Sequence, residues 1–289
     1  MPKIQFQDVT KVFTLRAGAQ GGAARAFTAV SGLSLDVEAG EFLTLVGPSG
    51  CGKSTLLDLL GGFSTPTTGR VLLDGKPVTG TGLDRGIVFQ QYALFPWRTA
   101  LENVEFGLEA KGVAARERRA IARENLALVG LRGFEDRHPH ELSGGMKQRV
   151  AIARCLAHDP DVLLMDEPFA AVDAQTRESL QDELLKTWRR ARTTVIFVTH
   201  GIDEALYLGQ RVAVMTSRPG RIKEIVEVPA DLRNGDPDLR SLPAFGRLRH
   251  DIWSLLRDEV SVPPPPECAP RSRPSGRDAG LGAEAVSHG

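Results

Sequence analysis

A short apolar run, Phe42–Val46, leads straight into Gly47-Pro48-Ser49-Gly50-Cys51-Gly52-Lys53-Ser54-Thr55, and an apolar-periodic stretch over residues 53–60 follows. A strand that turns through glycines into a helix forms a phosphate-binding P-loop, which commits the chain to an α/β architecture. The glycines let the backbone curl until several N–H groups face one point, and the helix N-terminus adds positive potential there. Lys53 then supplies a cation for β- and γ-phosphates, and Ser54 a hydroxyl for Mg²⁺. All nine residues, Gly47 to Thr55, are expected to hold nucleotide. The loop alone does not separate kinases, GTPases, motors and transporters, but no N-K-x-D string is present to read guanine.

Further apolar runs at residues 86–89, 162–165, Thr194–Val198 and 212–215 read as buried strands. Helical stretches separate them at residues 114–129, 146–158, 174–190 and Ile202–Leu208. That alternation predicts a doubly wound parallel sheet covered on both faces. Before the P-loop, Ile4 and Phe6, then Leu33, Leu35 and Val37, alternate with polar residues, which predicts two half-buried strands of an antiparallel layer. The Ala- and Gly-rich residues 16–26 between them read as a flexible loop. Near the end, Phe245, Leu248, Ile252, Leu255 and Leu256 recur at helical spacing, and a Pro-rich tail follows from residue 261. The helix is expected to lie on the domain and the tail to be disordered.

The run Val162-Leu163-Leu164-Met165-Asp166-Glu167 ends a buried strand on two carboxylates, and charge at such a strand end calls for a counter-ion. Behind a P-loop, Asp166 suits the Mg²⁺ side of a nucleotide site. Glu167 suits the place where a water would attack the γ-phosphate.

Leu142-Ser143-Gly144-Gly145-Met146-Lys147-Gln148, just ahead of a helix, is the string that narrows the field. Here the chain resembles the ABC ATPase family, whose signature reads L-S-G-G-x-x-Q. The resemblance runs from about Ile4 to Val228 and implies an ABC-ATPase fold: a mixed sheet core, an N-terminal antiparallel β layer, and a helical subdomain at about residues 91–160 that carries the signature. The ATP-binding domain would span residues 1–230, with a helical extension at 231–260 and the tail at 261–289. It implies that Ser143, Gly144, Gly145 and Gln148 contact ATP held by a second copy, in a head-to-tail dimer with two composite sites. Gln90 matches the glutamine that senses Mg²⁺ and the attacking water. Ala171-Val172-Asp173 matches the D-loop, with Asp173 on the nucleotide side, and His200 matches the switch histidine at the γ-phosphate. Phe13 matches the aromatic that stacks on adenine. Residues 16–26 lengthen the segment after Phe13, and Gly201 stands where the family often has Asp.

Arg85-Gly86-Ile87-Val88-Phe89-Gln90, Phe95-Pro96-Trp97-Arg98, Asp166-Glu167-Pro168-Phe169 and Ser217-Arg218-Pro219-Gly220-Arg221-Ile222 are similar to strings in nitrate, sulfonate and taurine importer ATPases. That implies transmembrane permease partners, an extracytoplasmic solute-binding protein reached through them, and a place at the cytoplasmic face of the cell membrane. Tyr92 to Trp97 is an apolar stretch in an expected surface loop and reads as the permease contact. The 36 basic and 36 acidic residues cancel, so bulk charge recommends neither nucleic acid nor an anionic lipid surface. The three cysteines form no C-x-x-C pair, no apolar run reaches the ~20 residues of a membrane span, and the start lacks a signal-peptide core. The other reading is a soluble ABC ATPase acting on nucleic acid or ribosomes. Against it, the 52 residues between Gln90 and Ser143 hold no heptad coiled coil.

Overall fold

The long N-terminal strands β1 (Ile4–Leu15) and β2 (Arg25–Val37) pair antiparallel, with Ile4 opposite Val37 and Phe6 opposite Leu35. The two alternating patterns therefore meet on one buried face. In this computed structural model the described residues are 1–15, 25–170, 172–232 and 237–260. Most of the expected loop, residues 16–24, lies outside them, as do Ala171 and the tail from residue 261. Arg25 and Ala26, read as the end of that loop, instead begin β2, where Ala26 pairs with Thr14. On the other flank of β1 lie β4 (Thr68–Leu73) and the short β5 (Lys76–Pro77), giving a sheet of order β2-β1-β4-β5.

The second sheet is built from β3 (Phe42–Val46), β6 (Arg85–Val88), β7 (Val162–Asp166), β8 (Thr194–Val198), β9 (Arg211–Met215) and β10 (Ile222–Glu227), in the order β10-β9-β3-β8-β7-β6. Five strands run parallel and β10 is an antiparallel edge, so the sheet is mixed. Because successive side chains alternate faces, each central strand feeds two cores. Leu43 and Leu45 pack toward α1 (Lys53–Gly61) and the antiparallel sheet. Phe42 and Val46 pack toward the remaining helices. Thr44 shares that second face, and its buried hydroxyl donates to the Ala205 carbonyl at 3.2 Å, so it strands no polar group.

Helices α2 (Ala100–Ala110), α3 (Ala115–Leu128) and α4 (Gly144–Ala157) pack on one another and carry the signature string at the start of α4. The sequence reading leaves α2 unassigned, although Thr99 and Glu102 form a reciprocal capping box at its start. Helices α5 (Ala174–Ala191), α6 (Ile202–Leu208) and α7 (Pro243–Val260) complete the second core. The periodic run at the C-terminus is α7: Phe245 and Ile252 are fully buried, with Leu248, Leu255 and Leu256 packed beside them.

Candidate active site

In a parallel sheet every strand ends on the same side, so the turns after β3, β6, β7 and β8 open onto one surface. The P-loop follows β3. Gly52 sits at φ 102°, a conformation side chains rarely adopt, and a Cβ there would lie 2.7 Å from Val30 Cγ2. It precedes α1, whose first turn has no side-chain cap and no acidic residue. Those N–H groups are the natural donors for an anion. Lys53 is buried against the loop, its Nζ donating to the carbonyls of Gly47 at 2.8 Å and Pro48 at 3.0 Å.

The next three strands in the sheet, β8, β7 and β6, deliver His200, Glu167 and Gln90 as a row. Glu167 Oε2 stands 3.3 Å from His200 Nδ1 and 3.5 Å from Gln90 Nε2. The Glu167 backbone N–H donates to the Val198 carbonyl at 3.0 Å, tying the ends of β7 and β8 together. Glu167 itself has φ 47°. A non-glycine residue held in the left-handed region costs about 1–3 kcal/mol.

Asp166, one residue earlier, turns the other way, toward Ser54 and Lys53. Burial pushes its carboxyl above the usual range and the Glu167 charge adds to this, while the Ser54 hydroxyl and Lys53 pull against it. A cation beside Asp166 would relieve that penalty. Ser54, Asp166 and Gln90 offer oxygen donors only, and among the described residues no group of three or more His, Cys, Asp or Glu forms a closed metal cage. An open, all-oxygen site of this kind fits Mg²⁺ completed by phosphate oxygens and water.

Phe13 stacks on Phe27 across the β1–β2 pair, with ring centroids 5.3 Å apart and 23° between planes. Both rings border a pocket of about 420 Å³ that also takes in Ser49, Gly50, Lys53, Ser54, Gln90 and Glu167. Phe27 and Arg218 in that wall carry no local sequence signal of a nucleotide site. Strand register places the first. The adjacency of β9 to β3 places the second, whose string served only as a mark of kinship. A larger cleft of about 760 Å³ leads from Glu167 and His200 between α5, α6 and α7, but no P-loop residue lines it.

The signature residues are not brought into that pocket. Ser143 is the exposed N-cap of α4 and accepts from the Met146 N–H at 3.3 Å, with Gly144 and Gly145 in the first turn. Gln148, expected beside them, is only 2% exposed. It shares the inward face of α4 with Ile152 and Cys155 at helical spacing, so its side chain does not reach the surface that Ser143 presents. Asp173 caps α5, accepting from the Thr176 N–H at 2.9 Å, which holds its carboxyl below the usual range.

The stretch 92–97 leaves Trp97 71% exposed beside Phe95 and Phe106, with Arg98 over both phenylalanine rings. Buried Asn103 fixes this patch. Its Oδ1 accepts from the Phe95 N–H, and its Nδ2 donates to the carbonyls of Phe95, Arg98 and Thr99.

Residues 30–170 match the sequence profile described as "ABC transporter". An uncharacterized ABC transporter ATP-binding protein of Methanocaldococcus jannaschii is 54% identical over 89% of this chain and 92% of its own length. A taurine import ATP-binding protein of Roseobacter denitrificans is 49% identical over 80% of this chain and 87% of its own. A nitrate import ATP-binding protein of Synechocystis is 45% identical over 88% and 95%. A solved dimeric bacterial ABC transporter cassette superposes with a TM-score of 0.70 at 35% identity, covering 78% of this chain and 99% of that one. A dimeric cassette solved in a post-hydrolysis state with ADP and phosphate superposes at 0.69.

Proposed function

Because this chain belongs to the ABC transporter family and is an ATPase of that family, we propose that it energises an importer of a small anion such as taurine, an alkanesulfonate or nitrate. The observation that carries the hydrolytic part is the convergence of Gln90, Glu167 and His200 beside the P-loop. Lys53 and the α1 N-terminus hold the phosphates, and Phe13 supports adenine. Mg²⁺, held by Ser54 and Asp166 with Gln90 alongside, would neutralise phosphate charge when bound. Glu167 orients a water and takes its proton as the water oxygen attacks the γ-phosphorus and the bond to ADP breaks. His200 holds the Glu167 carboxylate from the opposite side to Gln90.

The importer assignment rests on the likeness to taurine and nitrate import proteins and on the Phe95–Trp97 patch. That patch is aromatic and, at Trp97 and Phe106, exposed, suited to cupping a short cytoplasmic helix of a permease. Among the described residues no helix is long and apolar enough to cross a membrane, so coupling to transport needs such a partner. The second copy would present Ser143 and its glycines to the ATP, a role suited to an exposed helix N-terminus. ATP would close the dimer and hydrolysis reopen it, which turns the permease. Replacing the gene by a Lys53→Ala allele tests this. Growth should fail on taurine or an alkanesulfonate as sole sulfur source, or on nitrate as sole nitrogen source, where the wild-type allele supports it. Equal growth of both alleles on all three would reject the assignment.

A further inference from the structure

The His200 side chain is 71% exposed, so packing does little to fix it. The next residue, Gly201, is the N-cap of α6 and brings no capping side chain to hold the turn. What holds this segment is hydrogen bonding from the residue on its other side. Buried Thr199 accepts from the Gly201 N–H at 3.0 Å, its hydroxyl donates to Glu204 Oε2 on α6, and its own N–H donates to the Leu45 carbonyl at 3.1 Å. His200 therefore sits on a short arc pinned both to α6 and to β3, the strand that leads into the P-loop.

The other oxygen of Glu204 accepts from Gln181 Nε2 at 2.8 Å, and Gln181, on α5, is only 1% exposed. Its amide oxygen accepts in turn from Arg240 Nη2 at 2.9 Å, while Arg240 Nη1 donates to Glu178. An amide can face either way, but here its ends are fixed, because a guanidinium only donates and a carboxylate only accepts. Glu204 thus collects a donor from each side. The bonds run unbroken from Arg240 through Gln181, Glu204 and Thr199 to the backbone beside His200. All of these side chains line the cleft that leads from Glu167 and His200. Arg240 lies in the short helical turn Pro237–Ser241, just ahead of α7, and its guanidinium also covers the Tyr207 ring of α6, 4.8 Å from the centroid. The C-terminal segment therefore reaches the catalytic row from behind.

We propose that Thr199 and Glu204 are positioning residues for His200, and that Arg240, acting through Gln181, holds Glu204 in place. This rests on His200 steadying Glu167 in the function proposed above, and it names what aims the histidine. Buried networks of this kind are coupled, so a break at the far end is felt at the near one.

The test is a pair of double-mutant cycles on the full chain, reading kcat and KM for ATP by phosphate release at a temperature where melting curves show each variant folded. Thr199→Val keeps the shape and removes the hydroxyl; Arg240→Met keeps the stem and removes the donors. Thr199→Val should lower kcat about tenfold, the scale of one hydrogen bond to a charged group, and Arg240→Met about threefold, both with KM within about twofold. In a His200→Ala chain neither should lower kcat further, because the group they position is gone. Thr199→Ser, which keeps the hydroxyl, should stay within about threefold of wild type. Wild-type kcat in either variant, or losses that multiply onto His200→Ala, overturns the proposal. If Arg240→Met does not fold, the Thr199 variants decide, and an equal loss in Val and Ser, the mark of packing alone, overturns it. A His200→Ala chain with wild-type kcat would instead refute the reading of His200 beneath it.

Discussion

His200 and Glu167 interact through a single contact, Nδ1 to Oε2, and this contact sets what each substitution should cost. His200→Ala leaves the P-loop, Lys53 and Asp166 untouched, so ATP binding should change little while one of the two groups steadying Glu167 is lost. The expected result is a kcat lower by about 10²-fold or more with KM nearly constant, measured by phosphate release. A matching rise in KM with unchanged kcat would assign His200 to binding alone. The chemistry-bearing residues on contiguous strings were legible in the sequence, because a glycine turn, a helix start and paired carboxylates at a strand end each require fixed residue types at fixed spacing. Gln148 was not. It belongs to the same string as Ser143, but five residues along a helix turn a side chain about 140° round, here to the core face, and that rotation outweighs membership of the motif. Phe27 escaped for the opposite reason, since nothing near it in sequence says that it stands across from Phe13.

Helix α7 is the element whose attachment most directly reports on pH. Burial raises the Glu259 carboxyl, but Lys223 at 2.9 Å and the two Ser217 donors outweigh it and leave the group below its ordinary value of 4.5. A carboxyl depressed in the folded state stabilises fully above its unfolded pKa, and that contribution is lost as pH falls through the lower native value. Glu259→Gln should therefore melt about 2–4 °C below wild type at pH 7, the response to roughly 1 kcal/mol in a domain of this size. The gap should close in acid below the carboxylate range. A gap that stays constant with pH would show that Glu259 acts without its charge. Element identity was legible wherever periodicity was strong, as for α7 and the buried strands. It was lost where an edge is wetted: β10 carries Lys223, Glu224 and Glu227 among its apolar residues and gives no buried run. Likewise α2 follows the aromatic surface stretch so closely that its capping box passed unread.

At the scale of the whole molecule, the geometry leaves one requirement that a single copy does not meet. Lys53, Ser54 and Glu167 converge on one pocket, whereas Ser143 sits exposed at the start of α4 with Gly144 and Gly145 half-buried beside it, away from that pocket's wall. In the function proposed here, a second copy turned head to tail would complete the two halves of the phosphate site, each copy lending its α4 N-terminus to the other's ATP, and hydrolysis would remove the shared phosphate and release the pair. The central claim is therefore that Glu167 drives hydrolysis inside an ATP-closed dimer. The most direct measurement is the molecular mass of Glu167→Gln by size-exclusion chromatography with light scattering, run with Mg-ATP and again with Mg-ADP, beside its hydrolysis rate. A dimer with ATP, a monomer with ADP, and hydrolysis slowed about 10²–10⁴-fold is the expected result. A monomer with both nucleotides that hydrolyses ATP at the wild-type rate would contradict it.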